Sequence, residues 1–285
     1  LKYASHLYVF DCYSWFDSLN SELGHKNEDN RPVDADVAEK AICGKWMNMS
    51  IEDKKDRFAF IIPVYNHAGS VAQVIQQALA LNFPIFVVDD GSTDNTYEQI
   101  KEIAGIQILR HQQNKGKGAA IMTGLAAAAT IADWAITVDA DGQHYPEDAL
   151  KLIAAIPEGM RPIVVGAREG MIGEHVPWTS RFGRKFSNFW VWTSGGPALL
   201  DSQSGMRIYP LPQVLHLGTK ARRFQFEVEI LVRAKRKGVP VIEVPVRVNY
   251  NPAGSRISHF RPFVDFLRNS STFTRLIFCR IFSLR

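Results

Sequence analysis

Two carboxylates one residue apart, Asp139 and Asp141, follow directly on the apolar run Trp134-Ala-Ile-Thr-Val138. A buried strand that ends this way delivers its acids to the rim of a sheet, where open α/β folds collect their ligands. Such a pair suits a hard divalent cation. Mg²⁺ keeps several waters, takes one or two protein carboxylates and fills its remaining positions with substrate phosphate oxygens. The chemistry implied is a diphosphate ligand held through a metal, Mg²⁺ or Mn²⁺.

Three more segments of the same kind precede it: Pro63-Val-Tyr65-Asn66-His67, Asp89-Asp90-Gly-Ser-Thr-Asp94 and Asn114-Lys115-Gly-Lys117-Gly118. In a nucleotide site, consecutive acids can accept hydrogen bonds from base or ribose, while Gly91 and Ser92 permit a tight turn. Lys115, Lys117 and the helix start behind them offer positive potential for phosphate. Each segment alone reads as a turn, a solvated loop or a helix entry. Together they place polar groups after four successive apolar runs, and so on one edge of a parallel sheet.

The elements that must position them alternate. Apolar runs at 58–62, 85–88, 106–109, 134–138 and 163–165 read as strands, and helical spacing or composition fills Val71–Leu81, the stretch to Ile103 capped by Thr93 or Asp94, and Lys117–Ile131. Such βαβ alternation predicts an α/β fold with a mostly parallel sheet flanked by helices. The run Ala119–Val138 approaches membrane-spanning length but contains Asp133, so it reads as a buried helix followed by a strand. Farther on, the pattern predicts helices at Arg181–Thr193 and Phe224–Lys237 and strands at Met206–Tyr209 and Val239–Val248.

Composition sets the outer bounds. At 285 residues, 46% hydrophobic and 22% charged, the chain is of ordinary globular type and is not disordered as a whole. Cys12, Cys43 and Cys279 are odd in number and widely separated, which indicates neither a disulfide framework nor a zinc site and favours a reducing compartment. No signal peptide is visible, and a start at Leu1 without methionine is consistent with a piece of something longer. The net charge of +4 is uneven: Gly254–Arg285 holds six arginines and a single acid, Asp265.

The Pro-x-Tyr-Asn, Asp-Asp-Gly-Ser-x-Asp-x-Thr, Asn-x-Gly-Lys-Gly and Asp-Ala-Asp-Gly-Gln-His series, in this order, resembles family 2 glycosyltransferases of the GT-A (Rossmann-like) fold. Within them it resembles the dolichyl-phosphate mannose synthase and polyprenyl-phosphate branch. The similarity runs from Phe58 to Val248 and continues through Gly166-Ala-Arg168, Asp201-Ser-Gln-Ser-Gly-Met-Arg207, Phe226-Glu-Val-Glu-Ile230 and Glu243-Val-Pro-Val246. It implies a nucleotide-sugar site of Pro63, Tyr65, Asn66, Asp89, Asp90, Lys117 and Asp139. It also implies a metal held by Asp139, Asp141 and Gln143, and a lipid phosphate faced by Arg168, Arg184 and Ser187. His67 stands where the family commonly has Glu, which leaves UDP- and GDP-sugars both open as donors. The absence of a Gln-x-x-Arg-Trp motif argues against a processive polysaccharide synthase.

The reaction implied is a single displacement at the anomeric carbon with inversion, in which Asp139, Asp141 and Arg168 act at the reacting groups. Glu227 and Glu229 are the carboxylates to examine for a general base; two residues apart on a helix they point to different faces, and Glu227 is the candidate. Two alternatives stand beside this reading. A sugar nucleotidyltransferase would need a Gly-rich first loop with a basic residue, absent after Ile62, and a catalytically silent nucleotide-sugar-binding or membrane scaffold module need not keep both acids.

The chain divides into an extension or remnant over 1–57, a transferase domain over 58–253 and a basic amphipathic tail over 254–285. The tail sets Phe260, Phe263, Phe266, Leu267, Phe273, Leu276, Ile277, Phe278, Ile281 and Phe282 among its arginines, the pattern of a helix lying in a bilayer interface. This predicts peripheral contact at the cytoplasmic face of a membrane. With no recognised nucleic-acid module present, nucleic acid is not expected as a partner.

Overall fold

Unbroken apolar runs form strands buried on both faces at the centre of one seven-stranded sheet, whose two edge strands are partly exposed. The structure is a computed structural model that describes residues 57–169, 178–249, 270–278 and 280, with backbone alone for 178–182. The strands are β1 (Phe58–Val64), β2 (Ile85–Asp89), β3 (Ile106–Arg110), β4 (Trp134–Thr137), β5 (Ile163–Arg168), β6 (Arg207–Pro210) and β7 (Val241–Val246). The helices are α1 (Val71–Leu79), α2 (Thr96–Ile100), α3 (Lys117–Ala128), α4 (Ala149–Ala154), α5 (Trp178–Thr193) and α6 (Phe226–Arg236). The expected N-terminal extension lies outside the described residues.

Strand order is β3-β2-β1-β4-β6-β5-β7, with every neighbour parallel except β6, which runs against both β4 and β5. The predicted mostly parallel α/β sheet is therefore present. The reversal of β6 brings the chain into that strand at the edge where the parallel strands end.

Side chains alternate across the sheet. Phe60 and Ile62 of β1 join Val74, Ile75, Trp134 and Ile136 in one apolar layer, while Ala59 and Ile61 join Val88, Leu125, Ile230 and Leu231 in the other. In α1 the buried positions are Val71, Val74, Ile75 and Ala78, the spacing of a one-sided helix, and Gln73, Gln76 and Gln77 face water. Each fully buried side chain of this size contributes about 1.5–3 kcal/mol, so Ile61→Ala would remove a sizeable part of the net stability. Small residues let α3 lie close to the sheet: a Cβ on Gly124 would stand 2.4 Å from Cγ2 of Ile61.

The structure differs from the sequence expectation in several elements. The helix predicted to run to Ile103 is the five-residue α2, and Asp94 nonetheless accepts from the Thr96 amide as a capping residue does (2.9 Å). A 3₁₀ turn at Pro146–Asp148 and α4 were not anticipated, although Pro-Glu-Asp is a helix-start signal. Residues 270–278 are helical and amphipathic, but Phe273 and Leu276, expected to face a bilayer, are buried against Val191 of α5 and Val228 and Val232 of α6. Of that expected face Phe278 is exposed, and 250–269 with Phe260, Phe263, Phe266 and Leu267 lie outside the described residues, as do Ile281 and Phe282. Among the described residues no helix is long and apolar enough to cross a membrane.

Candidate functional site

Because β1 to β5 are parallel, the loops after β1, β2, β3, β4 and β5 gather at one edge. The first three knit together through their own side chains. Asn66, in the left-handed region at φ 53°, donates from its amide to Oγ of Ser92 (3.0 Å) and accepts from the Thr93 amide through Oδ1 (2.8 Å). The amide of His67 donates to Oγ1 of Thr96 (2.8 Å). Pro63 has no N–H to give, and β1–β4 pairing ends just before it, at Ile61 opposite Thr137.

Asp89 and Asp90 are buried and engaged within the chain. Asp89 Oδ1 accepts from the Ser92 amide (2.8 Å), and Oδ2 lies 3.0 Å from Nε of Arg110, the residue opposite in register on β3. Arg110 in turn stacks its guanidinium on the Tyr97 ring. Asp90 accepts from the amides of Lys115 (2.9 Å) and Gly116 (2.7 Å) and from Nδ1 of His111 (2.7 Å), whose Nε2 lies 3.0 Å from Oγ1 of Thr123. Asp90 thus shapes the glycine-lysine loop from beneath. His111 was not singled out in the sequence; a lone histidine after a strand carries no local signal.

The centre of the edge is a carboxylate–ammonium–carboxylate chain. Lys117, the first residue of α3, sits with Nζ 2.8 Å from Asp139 and 2.5 Å from Oε1 of Glu227 on α6. Burial pushes the Asp139 carboxyl up, but the charge and hydrogen bond of Lys117 outweigh it and hold the group below the ordinary carboxylate range. Burial and the neighbouring Asp139 charge raise Asp141. Burial likewise raises Glu227 despite Lys117 and Arg207, while its two carboxylate partners raise Lys117 against its own desolvation. Glu229 points elsewhere, to the amides of Lys220 and Ala221 and to Arg233, so one member of the pair faces the site as expected.

Asp139 rests on a bare stretch of backbone. A Cβ on Gly205 would lie 2.1 Å from its Oδ2 and 2.3 Å from its Cγ. No side chain but hydrogen leaves room there.

The far side of the edge is held by Arg168, at the end of β5. It forms a two-pronged pair with the buried Asp201, Nε to Oδ2 at 2.6 Å and Nη2 to Oδ1 at 2.9 Å. Burial raises the Asp201 carboxyl, but the bonds and charge of Arg168, with help from Arg184, bring it below its ordinary value. Ser187 of α5 is buried with its hydroxyl 3.0 Å from that of Ser202, so it ties α5 to this loop. Glu243 of β7 accepts the amides of Leu200 and Asp201. Arg207, 1% exposed, donates to the carbonyls of Ser202, Ser204 and Glu227 and thereby fastens loop 201–205 to α6. Asp201 and Arg207 stood in a recognised motif, but their partners are far along the chain and no spacing announces them.

The donor set fits a hard cation. Asp139 and Asp141 present carboxylate oxygens, and Gln143 spends its backbone on Asp141 (3.0 Å) and Asn249 (2.8 Å), leaving its side-chain carbonyl as a ligand atom. Nδ1 of His144, buried in the same segment, has no partner among the described residues. Among the described residues no group of three or more His, Cys, Asp or Glu side chains converges as a complete cage, so a cation would complete its shell with ligand oxygens.

The family model described as Glycosyl transferase family 2 matches residues 59–210, more than half of the chain and the whole span from β1 to β6. The chain belongs to that family. This glycosyltransferase is 35% identical over 212 residues to the UDP-N-acetylglucosamine–dolichyl-phosphate N-acetylglucosaminyltransferase of Methanococcus voltae, covering 67% of this chain and 84% of that one. It is 29% identical over 226 residues to the dolichol-phosphate mannosyltransferase of Pyrococcus furiosus, covering 75% and 62%. In fold it resembles glucosyl-3-phosphoglycerate synthase from Mycobacterium tuberculosis, solved with Mn²⁺, UDP and phosphoglyceric acid, at TM-score 0.60 and 20% identity over 79% of this chain and 78% of that one. The expected GT-A-type architecture is thereby borne out.

Proposed function

We propose that this glycosyltransferase moves a sugar from a nucleoside-diphosphate donor to a polyprenyl phosphate, with inversion and with a divalent metal. The observation that carries the reading is the junction of two half-sites: the Asp139–Lys117–Glu227 chain and the Arg168–Asp201 pair share loop 201–205. The first half suits a metal-bound diphosphate, and the second offers a guanidinium to a phosphate acceptor. Relatives named for dolichyl phosphate supply the acceptor class.

Asp139, Asp141 and Gln143 would hold the metal, which when bound supplies charge stabilisation for the departing diphosphate. Pro63, Tyr65 and Asn66 line the nucleoside side, with Asp89 and Asp90 setting the loop shapes that receive it. Lys117, already beside Asp139, adds a positive charge where the leaving group develops a negative one. Arg168 and Arg184 would orient the acceptor phosphate, with Ser187 fixing the loop behind them. An acceptor phosphate oxygen then forms a bond to the anomeric carbon as the bond to the diphosphate oxygen breaks. A phosphomonoester with a second pKa of about 6 is largely ionised at neutral pH, so Glu227 is not required as its base. It serves instead to hold Lys117. Acting on a membrane lipid, the enzyme would work at a cytoplasmic bilayer face.

The test is release of nucleoside diphosphate from a panel of UDP- and GDP-sugars, with a short polyprenyl phosphate and with or without Mn²⁺ or Mg²⁺. Asp141→Ala should abolish the metal-dependent rate. Equal rates for Asp141→Ala and wild type would overturn the proposal.

A further inference from the structure

Apolar side chains left in water usually scatter, yet three of the largest in this protein lie together. Phe189 and Trp192 on α5 are 54% and 58% exposed and in ring contact at 6.5 Å, and Leu200 is 74% exposed. Leu200 is held beside them, because Nδ2 of Asn188 donates to its carbonyl at 2.7 Å. The patch abuts the site: Asp201, next in the chain, grips Arg168, and Asn188 also accepts the Ser202 amide.

Charge selects the occupant. Residues 178–200 and 270–280 carry Arg181, Arg184, Lys185, Arg275 and Arg280 and no Asp or Glu, and of these Arg275 is paired with the buried Glu229 of α6 at 3.0 Å. Arg280 donates to the Thr193 carbonyl (2.8 Å) and so stands at the end of α5, beside Trp192, while Lys185 is exposed one turn before Phe189. A protein partner gives no account of so one-sided a charge. Tryptophan and phenylalanine rimmed by cations is the composition that settles at a bilayer interface carrying anionic headgroups. Of the other exposed apolar residues among those described, Ile131 and Met160 precede β4 and β5 and so lie at the opposite edge of the sheet from the site, Leu150 is on α4, and Phe278 is on the helical stretch 270–278 that packs against α5 and α6.

We propose that the Phe189–Trp192–Leu200 face of α5 is a docking surface for an anionic bilayer, seating the Arg168–Asp201 end of the site at headgroup level. It rests on the lipid-phosphate reading for its purpose, but not for its test, and it differs from the tail expectation because Phe273 and Leu276 are packed inward.

The experiment is flotation of the full chain with vesicles of phosphatidylcholine and phosphatidylglycerol that contain no polyprenyl phosphate. Wild type should float, and Phe189→Ser/Trp192→Ser should lower the partition coefficient about tenfold or more, the loss expected for two interfacial aromatics. Ile131→Ser/Met160→Ser should float as wild type does. Transfer to a water-soluble, short-chain prenyl phosphate by the aromatic double variant should stay within about twofold of wild type, as expected for a surface change away from the reacting groups. Three results would overturn the proposal: wild type that does not float, a double variant that floats unchanged, or a wild-type dimer in solution that the double variant dissolves. Flotation as predicted with no transfer to any prenyl phosphate would leave the surface standing and sink the acceptor assignment instead.

Discussion

Gly205→Ala isolates the seat of Asp139 from every other feature of the site. The backbone of Gly205 lies outside the left-handed region, so alanine brings no conformational strain and the added methyl is the whole perturbation. At 2.1 Å from Oδ2, against an ordinary contact of 3.4 Å, it forces the carboxylate to retreat by about 1.3 Å. Lys117, now 2.8 Å from that carboxylate, would lose its charge-assisted bond, worth about 1.5–3 kcal/mol. Misplacing a reacting group by about 1 Å costs on the order of a hundredfold, and disturbing a ligand's support costs about 10- to 100-fold in metal affinity. We therefore expect kcat/KM to fall about a hundredfold, with the Mn²⁺ midpoint moving up by a similar factor. Overpacking should cost about 1–3 kcal/mol of stability, visible as a modest drop in Tm, so the rates are compared well below the melting transition. Gly69→Ala, whose Cβ would meet nothing within 4 Å, is the matched control. Wild-type turnover and an unmoved Mn²⁺ midpoint in Gly205→Ala would refute the assignment of Asp139.

Other outcomes follow from the same geometry. Lys117→Met should lower stability by about 3–5 kcal/mol in urea melts, since it leaves two largely buried carboxylates without their cation, and Lys117→Met/Glu227→Gln should recover part of the loss. Asp201 binds its proton more weakly folded than unfolded, so its contribution is present above about pH 3.9 and is lost as pH falls through the lower folded value. The stability gap between wild type and Asp201→Asn should accordingly be constant near neutrality and narrow below about pH 4 in melts. Gly183→Ala lies in the interior of α5, where a Cβ would meet nothing within 4 Å among the described residues, and should raise stability by about 0.5–1 kcal/mol without loss of transfer activity.

Much of the fold was readable because its signals are local. The runs at β1, β2 and β4 are buried on both faces, and the acids, glycines and lysines that follow them are turn and cap residues whose types are dictated where they stand. What escaped is long-range. Nothing in Arg207-Ile-Tyr-Pro210 tells that β6 runs backwards, because direction is decided by partners on β4 and β5. The Asp90–His111, Arg168–Asp201 and Lys117–Glu227 contacts join residues 21, 33 and 110 positions apart, beyond any periodicity. The tail shows a different limit: an aromatic-basic pattern fits an interfacial helix and a docked one equally, and packing of Phe273 and Leu276 on α5 and α6 decided the matter for those residues.

The backwards strand also has an evolutionary corollary. Since the chain quits the sheet after Arg168 and rejoins it at Arg207 on the same rim, the connection is an insertion at that rim, fastened along its described length through Ser187, Val191, Asp201 and Ser202. Changing the length of its exposed parts would leave the order and register of the strands intact, provided Gly205 stays beneath Asp139. A lineage could thus vary that connection while keeping the sheet it is fastened to.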